Sequence, residues 1–393
     1  MARERCALCG VRDCLLRQGW MRWDEEEVDG VIALAGNPNT GKSTVFNALT
    51  GLRQHVGNWP GKTVMRAEGI LEHRGRRFKL VDLPGTYSLF SLSTEEEIAR
   101  DFLLFGRPHA TVVVVDATNL ERNLHLVMQI LEVTHRVVVG LNLMDEARRK
   151  GLQVSPQQLE RDLGVPVVPM AARRGEGLEQ LVETVARVAL GELIPRPRPL
   201  PLPPQVQRPL EELASFLEEA LPGLPHARWI ALRLLEGDGN MQEALNSGAL
   251  RHWLSWLQGK EQEVVPLDGP DPVAQPVLER TEDLRRRIDG SLHDLLAQAI
   301  YAEAEAIARR AVRRRKEHPW DWEQRLDRIL TSPLWAFPIM MALLMGVFWI
   351  TIKGANYPSE MLARLFFWGE DQLGALFQFL GAPWWLTGFL VHG

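Results

Sequence analysis

The chain has 393 residues, too many for one ordinary domain, and its 46% hydrophobic content is enough for at least two packed cores. A formal net charge of −5 argues against a nucleic-acid binder, which usually carries a basic patch and an alkaline isoelectric point. Only three cysteines occur, Cys6, Cys9 and Cys14, all near the start, so a disulfide framework is not expected and a reducing compartment fits.

Residues 1–29 read as a leader with Arg, Asp and Glu throughout and without the apolar stretch of a secretory signal. Its Cys6-x-x-Cys9 and Cys14 have metal-like spacing but supply three ligands with no histidine close by, and they read as ordinary reduced thiols.

Residues 30–192 alternate short apolar, β-branched runs with amphipathic stretches, the pattern of an α/β domain with a mostly parallel sheet and helices on both faces. Strands are predicted at 31–35, 78–82, 111–116, 136–141 and 165–169. Ser93 with Glu96 three residues on forms a capping box for a helix to about Phe105, and Gly51 ends the helix before it.

Prolines crowd 195–209, so 193–209 is expected to be an extended, semi-rigid connector and the domain boundary. Residues 210–328 then read as an all-α domain, with helices at 210–220, 227–236 and 250–257 and a long one over 281–315. The arginine cluster from Arg309 to Lys316 reads as a solvated helix face.

Residues 334–352 carry no charge over about 19 positions, the length of a transmembrane helix, and 329–393 read as the start of a truncated membrane domain. Arg313, Arg314, Arg315, Lys316, Arg325 and Arg328 precede this span, against only Lys353 and Arg364 soon after it. The positive-inside rule therefore places residues 1–328 in the cytoplasm. A second apolar stretch, 373–391, is broken by Gly381 and Pro383 and includes Trp384 and Trp385, which fits an interfacial segment or a further span.

Chemistry enters with Gly36-Asn37-Pro38-Asn39-Thr40-Gly41-Lys42-Ser43, a match to G-x-x-x-x-G-K-[ST] between a predicted strand and a predicted helix. Glycines allow backbone N–H groups to close on phosphate oxygens, Lys42 bridges the β- and γ-phosphates, Ser43 ligates Mg2+, and Thr44 follows in reach of the nucleotide. Asp82-Leu83-Pro84-Gly85 ends an apolar strand, where the carboxylate holds Mg2+ through water and the Gly85 N–H senses the γ-phosphate.

In Asn142-Leu143-Met144-Asp145, a carboxylate can accept from N1–H and the exocyclic amine of guanine, a donor pair that adenine lacks. Asp145 is thus the expected base reader, with Asn142 bracing the loop and Met144 beside it. Ala171 or Ala172 is expected to offer a backbone N–H to guanine O6. The Gly- and Pro-rich 57–63 reads as a mobile loop, switch I, whose Thr63 hydroxyl completes the Mg2+ shell, and switch II starts at Gly85. No glutamine follows Gly85, so hydrolysis of GTP to GDP should be slow, resting on Lys42, Mg2+ and backbone amides, with Asn39 a candidate to hold K+ beside the phosphates.

Together, residues 36–43, Asn58-Trp59-Pro60-Gly61, residues 82–89 and residues 142–145 resemble the bacterial ferrous iron transport protein B family (FeoB). The resemblance continues through Trp229 to Asp238 and Leu326 to Leu330. It implies a cytoplasmic GTPase domain, a helical domain of the guanine-dissociation-inhibitor type and a multi-pass portion in the inner (plasma) membrane that moves Fe(II). It also implies small cytosolic iron-transport accessory proteins and a homo-oligomer, and no nucleic-acid partner. The family's potassium-linked asparagine falls on Asn39, its switch I threonine on Thr63 and its guanine-reading pair on Asn142 and Asp145. The competing readings are a soluble or peripheral regulatory GTPase, opposed by the uncharged 334–352 span, and an ATP-dependent P-loop enzyme, opposed by Asp145.

Overall fold

Seven consecutive buried residues, GVIALAG, make Gly30–Gly36 the central strand β1. The computed structural model describes residues 28–51, 54–59, 62–89, 93–258, 270–314, 329–330, 332, 335–354 and 356–380. The leader cysteines, Pro60, Gly61, Arg315, Lys316, residues 321–328, Leu334 and the 381–391 part of the second apolar stretch lie outside them.

Eight further strands follow among the described residues: β2 (Gln54–Asn58), β3 (Met65–His73), β4 (Arg76–Asp82), β5 (Ala110–Asp116), β6 (Val137–Asn142), β7 (Leu152–Val154), β8 (Val167–Pro169) and β9 (Val312–Arg314). Seven of the nine form one sheet in the order β2-β3-β4-β1-β5-β6-β8. β4, β1, β5, β6 and β8 run parallel, with Leu34 opposite Asp82, Gly36 opposite Val114 and Asp116 opposite Asn142. The ends of β1, β4 and β6 therefore come level along one edge, where open α/β sheets bind their ligands.

The five strands expected from apolar runs are all present. The antiparallel pair β2–β3 was not expected: β2 reads QHVGN and β3 carries charge at Arg66, Glu68 and Glu72, so an edge with polar side chains hides its period. Gly57 and Asn58, read as part of a mobile loop, are strand residues. Trp59 beyond them is 1% exposed and packs edge-on against Phe102, with ring centroids 5.7 Å apart.

Helices α1 (Lys42–Thr50), α2 (Thr94–Phe105), α3 (Leu120–Val133), α4 (Met144–Arg149), α5 (Pro156–Leu163) and α6 (Leu178–Ala189) cover the sheet. The Ser93 half of the capping box is present, its Oγ accepting from the Glu96 N–H at 3.3 Å, and Gly51 ends α1 at φ 59°. Period-two alternation splits the core. Ile32 and Leu34 face one apolar cluster with Val45, Phe46 and Leu181, while Val31, Ala33 and Ala35 face another with Phe102 and Leu124.

That second cluster continues without a break into the helical part, through Leu210, Leu213, Trp229, Ile300 and Ala304. The helices there are α7 (Pro204–Ala220), α8 (Ala227–Glu236), α9 (Gly239–Asn246), α10 (Ala249–Leu257), α11 (Ala274–Arg286) and α12 (Leu292–Ala311). Accordingly the described residues between 28 and 314 cluster as one compact unit.

Two expectations are corrected. The extended connector ends at Pro203, because Pro204 opens α7, where its missing N–H costs nothing, and Pro209 is held inside that helix. What precedes it lies along the nucleotide-binding domain: the Arg196 N–H donates to Gly164 O and the Arg198 N–H to Leu163 O, each at 3.0 Å. The long helix over 281–315 is two helices, interrupted at Gly290 (φ 90°), with Ser291 Oγ capping α12 by accepting from the Asp294 N–H. Its last turn gives way to β9, which pairs antiparallel with β7, Leu152 opposite Arg314 and Val154 opposite Val312.

Lys316–Gly393 form a separate unit. Within it α13 (Ala336–Trp349) continues as a π-helical turn over Ile350–Gly354, giving a 19-residue helix, apolar apart from Thr351 and Lys353, with none of it buried and long enough to cross a membrane. A further helix, α14 (Asn356–Phe379), takes in the beginning of the second apolar stretch.

Candidate functional site

The loop between β1 and α1 is shaped by positions that only glycine fits. A Cβ on Gly36 would lie 2.7 Å from the Val114 carbonyl oxygen. Gly41, at φ 83°, is the N-terminal cap of α1, and a Cβ there would fall on Asn142 Nδ2. Asn39 is left-handed at φ 66° and exposed, while Thr40 Oγ1 donates to Asn37 O at 2.9 Å. Ser43 and Thr44 are exposed in the first turn of α1, whose unpaired N–H groups and dipole suit a phosphate.

Lys42 projects back over the loop. Its ammonium pairs with Asp82 and donates to Leu83 O at 2.7 Å. Burial pushes the Asp82 carboxyl above its ordinary value, and the Lys42 charge opposes that rise. Gly85 runs close to the P-loop, since a Cβ on it would lie 3.5 Å from Pro38 N. The hydroxyl of Ser43 and the carboxylate of Asp82 are hard oxygen donors of the kind Mg2+ takes, to be completed by phosphate and water. Among the described residues no group of three His, Cys, Asp or Glu could hold a metal alone. Thr63, the third expected donor, is exposed just beyond the turn in which the Lys62 N–H donates to Trp59 O at 3.0 Å.

Asn142 ties the site together. It is 1% exposed; its Nδ2 donates to Thr40 O at 2.9 Å and its Oδ1 accepts from the Ala172 N–H at 3.0 Å. The P-loop and the 170–172 loop are thus held on one amide, the bracing role expected of it. Leu143 turns the chain at φ 61°, the Met144 N–H donates to Met170 O at 3.3 Å, and Asp145 follows in the first turn of α4. The amides expected to meet guanine O6 are engaged within the protein here, Ala172 with Asn142 and the Ala171 N–H with Glu176 O at 3.0 Å.

Three groups escaped sequence reasoning. Gln129 on α3 accepts from Ser88 Oγ at 3.1 Å and from the Leu89 N–H at 2.6 Å, fixing the far end of the switch II segment. Arg122 lies over the Tyr87 ring, 4.4 Å from its centroid. Arg174 places Nε 3.3 Å from Asp145 Oδ2. Arg310 is exposed, as a solvated face requires, and also bridges to Asp162 at 3.0 Å. Beside Tyr87 a cavity of about 790 Å3 opens between α3 and α12, lined by Asn37, Arg122, His125 and Tyr301 among others. It is not the nucleotide bed, because Asn37 is the one expected nucleotide contact on its wall.

A glycine-shaped loop at a helix N-terminus, with Asp82 and an Asn-x-x-Asp turn at the same sheet edge, defines a P-loop GTPase fold, here fused to a helical domain. The family model for ferrous iron transport protein B matches residues 30–185, and the model for the FeoB cytosolic helical domain matches 203–313. The chain belongs to the ferrous iron transport protein B family.

It is 33% identical over 373 residues to the Fe(2+) transporter FeoB of Salmonella typhimurium and equally so to that of Shigella flexneri, which covers 92% of this chain and 44% of theirs. The chain thus spans less than half the length of these curated relatives. Among solved structures, a GDP-bound mutant of S. thermophilus NFeoB superposes with a TM-score of 0.60 at 30% identity, covering 72% of this chain and 99% of that one. The T. maritima FeoB cytosolic domain in a GDP form gives 0.54 at 31% identity, with the same coverage.

Proposed function

We propose that this chain is the GTP-binding, slowly GTP-hydrolysing cytoplasmic switch of an Fe(II) uptake transporter, joined to its membrane portion through α13. The observation that carries the nucleotide part is Asn142, buried and shared between the P-loop and the 170–172 loop with Asp145 three residues on, an arrangement that serves base selection. GDP in the S. thermophilus and T. maritima relatives supports the same reading.

On binding nucleotide, Lys42 leaves Asp82 and Leu83 O for the β- and γ-phosphates, and the α1 amides with Gly41 close on the phosphate oxygens. Ser43, Asp82 and Thr63 of switch I are the residues that would hold Mg2+, which would neutralise charge at the phosphates. Asp145 accepts from the guanine N1–H and amine. The Gly85 N–H senses the γ-phosphate. No side chain after Gly85 orients water as a glutamine would, so stabilisation falls to Lys42 and backbone amides, with Asn39 holding K+ beside the phosphates.

Fe(II) transport, a multi-pass inner-membrane location, a homo-oligomer and small accessory proteins are part of the same proposal, supported by the family and by the apolar segment Ala336–Gly354 with its basic N-terminal flank. The test is nucleotide competition and turnover on the detergent-solubilised 393-residue chain. GTP should be bound at least about 100-fold tighter than ATP, and turnover should be faster in K+ than in Na+. Equal affinity for the two nucleotides would remove the guanine assignment, and equal rates in the two salts the role of Asn39.

A further inference from the structure

We propose that Arg174 is a positioning residue for Asp145, presetting the plane of the carboxylate that reads the base; this rests on the guanine-reading role of Asp145 argued above. Both members of the Asn-x-x-Asp turn are tied to one short loop. The Ala172 N–H bonds Asn142 Oδ1 at 3.0 Å, and Arg174 Nε approaches Asp145 Oδ2 at 3.3 Å.

The loop that delivers Arg174 is closed on itself. The Ala171 N–H donates to Glu176 O at 3.0 Å, the Arg174 N–H to Ala171 O at 2.8 Å and the Gly175 N–H to Ala172 O at 3.1 Å, with Gly175 left-handed at φ 75°. Gly177 at φ 79° packs so tightly that a Cβ would fall on Pro169 O. Arg174 thus starts from a fixed backbone. Glu176 steadies its head group from behind, 3.9 Å from Arg174 Nη1, while its other oxygen stands 3.8 Å from Arg148.

Arg149 also comes within 3.7 Å of Asp145 Oδ2, but it belongs to the same helix as Asp145 and shares itself with Glu146 at 3.7 Å. It cannot set Asp145 relative to the 170–176 loop. Arg174 can. An aspartate's terminal torsion is broad, so an unrestrained carboxylate samples many planes. Guanine offers N1–H and its amine in one plane, and an acceptor already held in that plane loses less freedom on binding. Arg174 stands at charge-pair distance from Oδ2, the oxygen that Arg149 also faces.

Inosine diphosphate lacks the exocyclic amine, so the ratio Kd(IDP)/Kd(GDP) reads how well Asp145 meets the base. On the detergent-solubilised full chain, Arg174→Ala should lower this ratio about threefold, the scale of one partly exposed charge pair. Arg174→Lys should recover part of it. Because the ratio is taken on the bound fraction, loss of folded protein lowers the signal without moving the ratio. An unchanged or raised ratio in Arg174→Ala overturns the proposal. If instead the unsubstituted chain binds IDP as tightly as GDP, Asp145 is not reading guanine and the underlying assignment fails with it.

Discussion

The Lys42 ammonium donates to the Leu83 carbonyl oxygen at 2.7 Å while pairing with Asp82, so the cation proposed to meet phosphate rests at the end of the strand that carries the carboxylate proposed to meet Mg2+. Lys42→Ala removes a nucleotide contact and leaves a mostly buried carboxylate without its counter-ion. GTP affinity should fall by at least about 100-fold, and the nucleotide-free protein should lose about 1–3 kcal/mol, read by titration and by denaturant unfolding respectively.

Gly41→Ala is the sharper probe of the brace. The added methyl would meet Asn142 Nδ2 at a backbone φ of 83°, so it forces Asn142 out of its bond to Thr40 O and strains the cap together. A cost of about 1–3 kcal/mol and loss of measurable GTP binding are expected, with the helix content by circular dichroism retained.

Asp145→Asn exchanges a two-fold acceptor for a donor and an acceptor. Xanthine carries a carbonyl where guanine has its amine, so the variant should prefer XTP over GTP by about tenfold or more. Competition with the two triphosphates measures it, and a retained preference for GTP would contradict the base-reading role.

Burial, with Arg107 and His135 adding to it, lowers the His226 imidazole to about 4, against 6.5 for a free side chain. The unfolded chain therefore takes up a proton that the folded chain refuses as pH falls below 6.5, and stability is lost down to about 4. At pH 5 this amounts to about 2 kcal/mol relative to pH 7. Asp101, raised by burial to about 6, acts in the opposite sense: its contribution is full below 3.8 and is lost as pH rises through 6. The comparison with His226→Asn isolates the first group, since Asn tolerates the φ of 59° found there. In urea unfolding the unsubstituted chain should lose about 2 kcal/mol relative to the variant between pH 7 and pH 5.

Much of this architecture was legible because β1, β5 and β6 are apolar runs, because β1, β4 and β6 end at Gly36, Asp82 and Asn142 of the expected motifs, and because Ser93, Gly51 and the P-loop glycines mark their own turns. Pairings made at the surface or at long range were not. β2 and β3 bury too few side chains to show a period. The β7–β9 ladder joins three residues near position 153 to three near 313, with no local signal in either. The break at residues 287–291 interrupts a stretch of helix-forming composition, and its signal, Asp289-Gly290 followed by the Ser291 cap, is only three residues long. Arg174 sits among arginines on a polar loop, and its distance from Asp145 is set by Gly175, Gly177 and the Ala171–Glu176 bridge rather than by any motif.

The β7–β9 ladder also fixes how the chain answers to load. Any pull along the backbone from residue 315 onward reaches the folded unit at Arg314, the outermost rung opposite Leu152. Behind it stand Val312 against Val154 and the Ser155 N–H donating to Ala311 O at 2.9 Å. An antiparallel pair tugged from its free end opens rung by rung, each yielding separately, whereas one dragged along its axis must break them together. The direction of tension therefore decides whether this joint behaves as a zipper or as a latch, and the first residues of the G domain to feel it lie only a few positions beyond Asp145.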